Sequence, residues 1–196
     1  MIRLVNMERA GLSEAYRSME QEFPHNELKS LRRLRELYDQ GLCEPWWLDE
    51  DGTHRGYAMM LRVEGCRFVL LDYLAMLDKG SGYGSICLEL LKKQYPDGIL
   101  GEVEAELESL PDEVNRLRRR RQDFYQRAGF VPCPFDNEVF GVVYLIHLWA
   151  RELPEDKEAI CARELYRYYQ AQVPQSWLDK HVYVAGQGGG PSRAEN

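Results

Sequence analysis

The sequence lacks several features that would assign a protein quickly to a class. No stretch approaches the roughly 18 consecutive apolar residues of a membrane-spanning helix, and the first residues contain no apolar core of signal-peptide length. Basic residues are outnumbered, with 25 Lys and Arg against 32 Asp and Glu and a formal net charge of -7. Nucleic acid calls for a basic surface and is therefore disfavoured as a partner. We expect a cytoplasmic protein with no membrane contact.

Signatures of metal and redox sites are missing as well. The five cysteines contain no Cys-x-x-Cys pair, and the four histidines are too scattered to suggest a metal site. We interpret the cysteines as reduced, mostly buried thiols. They are Cys43, Cys66, Cys87, Cys133 and Cys161.

What is present is the composition of an ordinary globular chain: 196 residues, 44% hydrophobic and 29% charged. This length and composition predict one domain. The hydrophobic periodicity predicts an α/β order of elements. In chain order we expect a strand at 2–5, helices over 7–23 and 26–42, three antiparallel strands between 45 and 76, a helix over 80–95, a strand at 99–107, a helix over 111–129, strands near 130–133 and 139–149, and a helix over 155–169.

A strand, a glycine-rich turn and a helix N-terminus follow one another between residues 70 and 96. Gly80, Gly82 and Gly84 let backbone N–H groups approach an anion, which the positive end of the helix dipole favours. The turn has neither the Gly-Lys-Ser/Thr of a Walker loop nor the spacing of the dinucleotide fingerprint. It predicts either a phosphate site of another kind or a tight structural connection.

The second informative segment is FYQRAGF at residues 124–130, which ends a long helix with a glycine cap. Taken alone, it is an amphipathic helix end with Phe124 and Phe130 in the core. Together with the turn Lys79-x-x-Gly82-x-Gly84, about forty residues earlier, it resembles the two motifs of the GNAT superfamily of acyl-CoA-dependent N-acetyltransferases. The resemblance covers roughly residues 1–150.

The resemblance implies a single-domain α/β fold with a mixed, mostly antiparallel central sheet flanked by helices. Residues 1–150 would form this core, 151–184 a helical extension and 185–196 a disordered tail. It also implies acetyl-CoA as co-substrate and direct attack by a primary amine in a ternary complex. The strand edge would pair with the pantetheine arm, and backbone N–H groups of the turn would hold the pyrophosphate. The residues concerned are Leu74, Ala75 and Met76 at the edge, and Lys79, Gly80, Ser81, Gly82, Tyr83, Gly84 and Ser85 at the turn.

Tyr125 matches the family tyrosine beside the thioester sulfur, which implies a general acid toward the departing thiolate. The chain also departs from the family pattern. Lys79 stands where Arg or Gln is usual, and the link from Met76 to Gly82 is about two residues shorter than is common. Arg118 occupies the position where many relatives have an asparagine, and the nearby Asn115 is one helical turn away.

A proton acceptor for the amine is sought among carboxylates. Glu102 and Glu104 alternate with apolar residues on the strand at 99–107, where family members often place an acid. A solvated strand face and an acidic substrate clamp are the alternatives. Asp72 and Tyr73 on the preceding strand are secondary candidates.

The four arginines at 118–121 are interpreted as a solvated helix face. Arg121 falls near the apolar stripe of that helix, which contains Val114 and Leu117, so we expect it to pair with an acid. The acceptor amine stays open between small metabolite, antibiotic, peptide N-terminus and protein lysine. The oligomeric state also stays open, with a homodimer among the options. Two other functions compete: a non-catalytic acyl-CoA-binding or regulatory module on the same fold, and a protein-interaction domain whose glycine turn is only structural.

Overall fold

The computed structural model describes residues 1–25 and 27–189, which divide into two units. The first unit contains residues 1–64 and 71–95, and the second contains 65–70 and the chain from residue 96 onward. Each unit combines antiparallel strands with flanking helices. The predicted class, α/β with mostly antiparallel strands, is confirmed. No helix in the described ranges is both long and apolar enough to cross a membrane.

The first unit begins with a strand and two helices, as the periodicity predicts. Its elements are β1 (Ile2–Asn6), α1 (Leu12–Glu22), α2 (Leu31–Asp39), β2 (Cys43–Glu50), β3 (Thr53–Leu61), β4 (Val69–Met76) and α3 (Tyr83–Gln94). The strands lie in the order β1-β2-β3-β4. The predicted turn at Asp51-Gly52 joins β2 to β3, and both residues adopt the positive φ angles that such a two-residue hairpin requires.

Side chains at helical spacing form the core of this unit. Leu12, Met19, Leu34 and Leu37 of the first two helices are fully buried. Helix α2 begins after Ser30, whose hydroxyl accepts a hydrogen bond from the Arg33 amide at 3.2 Å. The two helices are therefore fixed by burial of their apolar faces and, for α2, by a side-chain cap.

The second unit contains the elements from residue 99 onward. They are β5 (Ile99–Glu104), α4 (Asp112–Arg127), β6 (Val131–Cys133), β7 (Asn137–Val139), β8 (Tyr144–Trp149), α5 (Lys157–Gln172), α6 (Gln175–His181), β9 (Val182–Val184) and β10 (Gly188–Gly189). Strands β5, β8 and β6 lie side by side and antiparallel. Strands β7, β9 and β10 form a second, three-stranded sheet.

The C-terminal part differs from the sequence prediction in three ways. The strand expected over 139–149 is interrupted, because Phe140 (φ 49°) and Gly141 (φ 80°) form a tight turn closed by hydrogen bonds between Val139 and Val142. Helix α6 and strand β9 were not predicted. Of the tail predicted to be disordered, Gly188–Gly189 pair with β9, and residues 190–196 lie outside the described residues.

The apolar stripe expected on α4 is not buried, which is a further difference from the sequence prediction. Val114 and Leu117 are 36% and 53% exposed, and α4 has no buried residue. The helix is instead attached to the end of β5 by polar contacts. Arg118 donates to the Ala105 carbonyl at 2.6 Å, and Gln122 donates to the Glu104 carbonyl at 3.0 Å.

Candidate functional site

The glycine turn before α3 is open and left-handed. Gly80 and Gly82 have φ angles of 81° and 78°, and a Cβ atom added to either would meet no atom within 4 Å. The first helical hydrogen bonds of α3 run from the amides of Ser85 and Ile86 to the Gly82 carbonyl, at 3.1 and 3.3 Å. Amides in the first turn of a helix have no intrahelical acceptor, so the preceding N–H groups can bind an anion.

Ion pairs surround this turn. The Lys79 ammonium lies 2.8 Å from a Glu22 carboxylate oxygen, and the lysine side chain is 71% exposed. Arg55 binds Glu50 at 3.0 Å and Asp78 at 2.8 Å. Because Lys79 is mostly in water, its contact with Glu22 is weak and can be exchanged for a phosphate.

The predicted strand edge leads directly into the turn. Leu74, Ala75 and Met76 are half-buried at the end of β4. A Cβ atom on Gly56 of β3 would come within 2.7 Å of the Ala75 carbonyl oxygen, so only glycine permits this approach of the two strands. The edge residues are thereby held against β3, one short link before the glycine turn.

Asp72 and Tyr73 hold the segment between α1 and α2. The Asp72 carboxylate, 7% exposed, binds the Lys29 ammonium at 2.7 Å. The Tyr73 hydroxyl donates to the Glu27 carbonyl at 2.8 Å and accepts from the Lys29 amide at 3.0 Å. These contacts favour a tethering role for both residues over the proton-acceptor role considered from the sequence.

Tyr125 lies half-buried in the last turn of α4, against β5. Its Cε1 atom would be 3.5 Å from a Cβ atom on Gly101, so the absence of a side chain there leaves room for the ring. The ring also meets Phe130 edge to face, with centroids 5.3 Å apart. Gly129, with φ 80°, turns the chain after the helix, and the Phe130 amide donates to the Tyr125 carbonyl. The predicted glycine cap is confirmed, as is the burial of Phe130.

His147 is a neighbour of Tyr125 that the sequence did not single out. It lies opposite Gly101 in the β5–β8 register, is fully buried, and its ring centroid is 6.1 Å from that of Tyr125. Burial lowers the pKa of the imidazole, so it is neutral at pH 7. Its Nδ1 lies 3.2 Å from the Leu145 carbonyl, and its Nε2 has no hydrogen-bond partner within residues 1–25 and 27–189.

The two candidate carboxylates on β5 have different partners. Glu102 Oε1 accepts a hydrogen bond from the Tyr169 hydroxyl of α5 at 2.6 Å. Glu104 forms an ion pair with Arg121 and is 12% exposed. The expectation that Arg121 pairs with an acid is confirmed. Neither carboxylate is simply solvated, and because strand residues alternate, Glu102 points to the face of β5 opposite Gly101 and Tyr125.

No family model matches the sequence, and no curated protein matches it. Solved structures do match the fold of the chain. A protein described as a GNAT-family acetyltransferase from Bacteroides thetaiotaomicron has a TM-score of 0.68 and 21% identity, with 88% of this chain and 99% of that one covered. The chain has the GNAT fold. The ribosomal-protein-S18-alanine N-acetyltransferase from Escherichia coli matches with a TM-score of 0.55 and 15% identity over 80% of this chain and 97% of its own. The aminoglycoside acetyltransferase AAC(6')-Ib, solved with coenzyme A and kanamycin, matches with a TM-score of 0.53 and 17% identity. The match covers 77% of this chain and 95% of that one.

The departure from the GNAT pattern on α4 has a structural explanation. Arg118, which replaces the frequent asparagine, is used to bind the β5 backbone. Asn115 donates to the Leu107 carbonyl at 2.8 Å and accepts from the Leu107 amide at 3.0 Å. Both side chains therefore fix the connection between β5 and α4. Arg119 pairs with Glu106 on the exposed surface, in line with a solvated helix face.

Proposed function

We propose that the protein is an N-acetyltransferase that transfers the acetyl group of acetyl-CoA to a primary amine in a ternary complex. The observation that carries the proposal is the open glycine turn at the N-terminus of α3, on a chain with the GNAT fold. Open space beside a left-handed glycine also occurs at Gly41, which follows a helix. The turn at Gly80 and Gly82 differs because it precedes α3, where backbone N–H groups without intrahelical acceptors can bind an anion.

The cofactor half-site is built by residues 74–85. The N–H groups from Gly80 to Gly84 bind the pyrophosphate of coenzyme A, while the predicted Ser85 amide is used by the first turn of α3. The backbone of Leu74, Ala75 and Met76 pairs with the pantetheine arm. Lys79 turns from Glu22 toward a phosphate. Support for coenzyme A comes from a protein of the same fold that was solved with it. Acetyl-CoA supplies an acetyl group activated as a thioester.

The transfer requires one proton acceptor and one proton donor. A cationic amine first releases one proton to solvent and becomes a neutral nucleophile. Its nitrogen then forms a bond to the acetyl carbon, the carbon–sulfur bond breaks, and the nitrogen loses a second proton while the thiolate gains one. Tyr125 donates the proton to the sulfur, in accordance with the family motif that it matches. Its half-burial against Gly101 and Phe130 limits its contact with water and holds the phenol in one orientation.

Glu102 is the better proton acceptor of the two glutamates. The Glu104 carboxylate is already engaged in an ion pair with the Arg121 guanidinium and is only 12% exposed. Glu102 accepts a hydrogen bond from a neutral phenol, which orients it without cancelling its charge. Sulfur and nitrogen are bonded to the same acetyl carbon during the transfer. Because Glu102 lies on the face of β5 opposite Tyr125, it receives the proton of the amine through a bound water molecule.

The acceptor is proposed to be a cationic amine. The net charge of -7 and the carboxylates of β5 attract cations and raise their local concentration. Two proteins of the same fold are named for amine acceptors of different size, an aminoglycoside in one case and the alanine of a ribosomal protein in the other. The amine group, rather than the size of the acceptor, is what they share.

The test combines binding and turnover. Acetyl-CoA binding is measured by calorimetry, and acetylated products are sought by mass spectrometry with a panel of aminoglycosides, polyamines and peptides with free N-termini. Acetylated product from at least one cationic amine supports the proposal. Binding without turnover on any amine would favour the non-catalytic acyl-CoA module, and absence of binding would favour the interaction domain.

A further inference from the structure

The helical extension that follows the GNAT-like core contacts the candidate base directly. The Tyr169 hydroxyl donates to Glu102 Oε1 at 2.6 Å, although the two residues are 67 positions apart in sequence. Tyr169 is 8% exposed, so water competes little for this bond. Hydrogen bonds to an ionised carboxylate are shorter and stronger than those between neutral groups.

The helix that carries Tyr169 is fixed in place by buried contacts. The hydroxyl of the adjacent Tyr168, fully buried, donates to the Phe68 carbonyl at 2.6 Å. The Glu164 carboxylate, 2% exposed, accepts hydrogen bonds from the amides of Arg67 and Phe68 at 2.8 and 3.0 Å. Because helix α5 is firmly packed, the Tyr169 phenol is held in one position. It therefore holds the Glu102 carboxylate in one position as well.

We propose that Tyr169 is a positioning residue for Glu102, and that the extension of residues 151–184 thereby completes the acetyl-transfer site. This inference rests on the proposed function, in which Glu102 accepts the proton of the amine. The phenol fixes the orientation of the carboxylate that receives the proton. This orientation matters because a misplaced base loses rate steeply with distance.

Charged and titratable groups near Glu102 lie on α4, α5, β5 and β8. Tyr169 lies on α5, and Glu104 lies two residues along β5 with its partner Arg121 on α4. Across the β5–β8 pairing, Glu102 faces the apolar Ile146, and Tyr144 faces Glu104. The Tyr169 hydroxyl is a direct donor to Glu102, and its removal is expected to alter the titration of that carboxylate.

The experiment compares Tyr169→Phe with Tyr168→Phe. Both variants remove one hydroxyl from a buried tyrosine of α5 and one hydrogen bond of 2.6 Å, but the Tyr169 hydroxyl binds Glu102 and the Tyr168 hydroxyl binds the Phe68 carbonyl. We expect Tyr169→Phe to lower kcat by about 10- to 100-fold with little change in KM for acetyl-CoA. The acid limb of its kcat/KM profile shifts to higher pH, because the ionised carboxylate has lost a donor. Tyr168→Phe leaves the limb in place, and in a Glu102→Gln background Tyr169→Phe adds little.

A second readout does not depend on activity. The carboxyl carbon of Glu102 is followed by NMR titration in protein labelled at glutamate, with Glu102→Gln used to assign its signal. Tyr169→Phe is expected to raise the titration midpoint of this signal, and Tyr168→Phe to leave it unchanged. Equal midpoints and equal pH profiles in the two variants would overturn the inference. An inactive wild type that still shows the midpoint shift would contradict the proposed function and leave the contact between Tyr169 and Glu102 established.

Discussion

Substitution of Gly82 by glutamate tests the cofactor half-site, because the structure offers a matched control at Gly41. Both glycines are exposed, both have left-handed φ angles (78° and 71°), and a Cβ atom on either meets nothing within 4 Å. Gly82 begins α3 at the glycine turn, and Gly41 follows the end of α2. Glutamate at either position therefore has the same backbone cost and differs only in what it does to a bound anion.

The backbone cost of the substitution and the stabilisation by acetyl-CoA can be estimated separately. A non-glycine residue in the left-handed region costs about 1–2 kcal/mol, and each kcal/mol lowers Tm by about 2–4 °C for a chain of this length. Both variants should therefore melt about 2–8 °C below wild type. A ligand at a hundredfold excess over its Kd stabilises the native state by about 2.7 kcal/mol. In wild type and Gly41→Glu, acetyl-CoA should thus raise Tm by about 5–11 °C.

In Gly82→Glu the rise should disappear, because the new side chain fills the space of the pyrophosphate and its charge repels it. The assay is differential scanning fluorimetry with and without acetyl-CoA, with circular dichroism as a check that all three proteins are folded. An equal rise in Tm for Gly82→Glu and Gly41→Glu would remove the glycine turn from the cofactor site.

Three further predictions concern the second unit and the thiols. Tyr125→Phe should lower kcat by about 10²- to 10⁴-fold and leave acetyl-CoA affinity nearly unchanged; a wild-type kcat would assign the ring to packing alone. Glu102→Gln should depress kcat/KM for the amine far more than Glu104→Gln does, and the reverse order, measured over the same pH range, would place the base at Glu104. In alkylation at neutral pH the native protein should react fastest at Cys66, because this thiol is half-buried and the other four are buried. Cys43 should react slowly, since burial also raises its pKa to about 12; rapid labelling of Cys43 would contradict this.

Most helices, strands and turns were predictable because the sequence patterns that indicate them involve only neighbouring residues. The glycine turn, the hairpin at Asp51-Gly52 and the cap at Gly129 depend on φ angles that glycine adopts at low cost. The pairing of Arg121 with an acid was predicted correctly, although the apolar stripe on which the prediction rested is not buried and the sequence did not identify Glu104 as the partner. These features need information from only a few neighbouring residues.

Features that depend on distant pairing were missed or misread. Strand β9 is three residues long, and its pairing with β7 joins segments more than forty residues apart. The contact of Tyr169 with Glu102 and the burial of His147 against Tyr125 have no local signature. The α4 stripe was misread because apolar spacing indicates a buried face only where another element covers it, and Leu117 is 53% exposed. Whether an apolar stripe is buried depends on tertiary packing and not on its periodicity.

Direct acetyl transfer at this site is tested most directly by a single-turnover reaction with acetyl-labelled coenzyme A and the best cationic amine. The reaction is quenched at successive times, and free coenzyme A, acetylated amine and intact protein mass are measured together. The account predicts that coenzyme A and acetylated amine appear in equal amounts and at the same rate, with no acetyl group on the protein at any time. An acetylated protein intermediate, or intact acetyl-CoA in the presence of every amine, would contradict it.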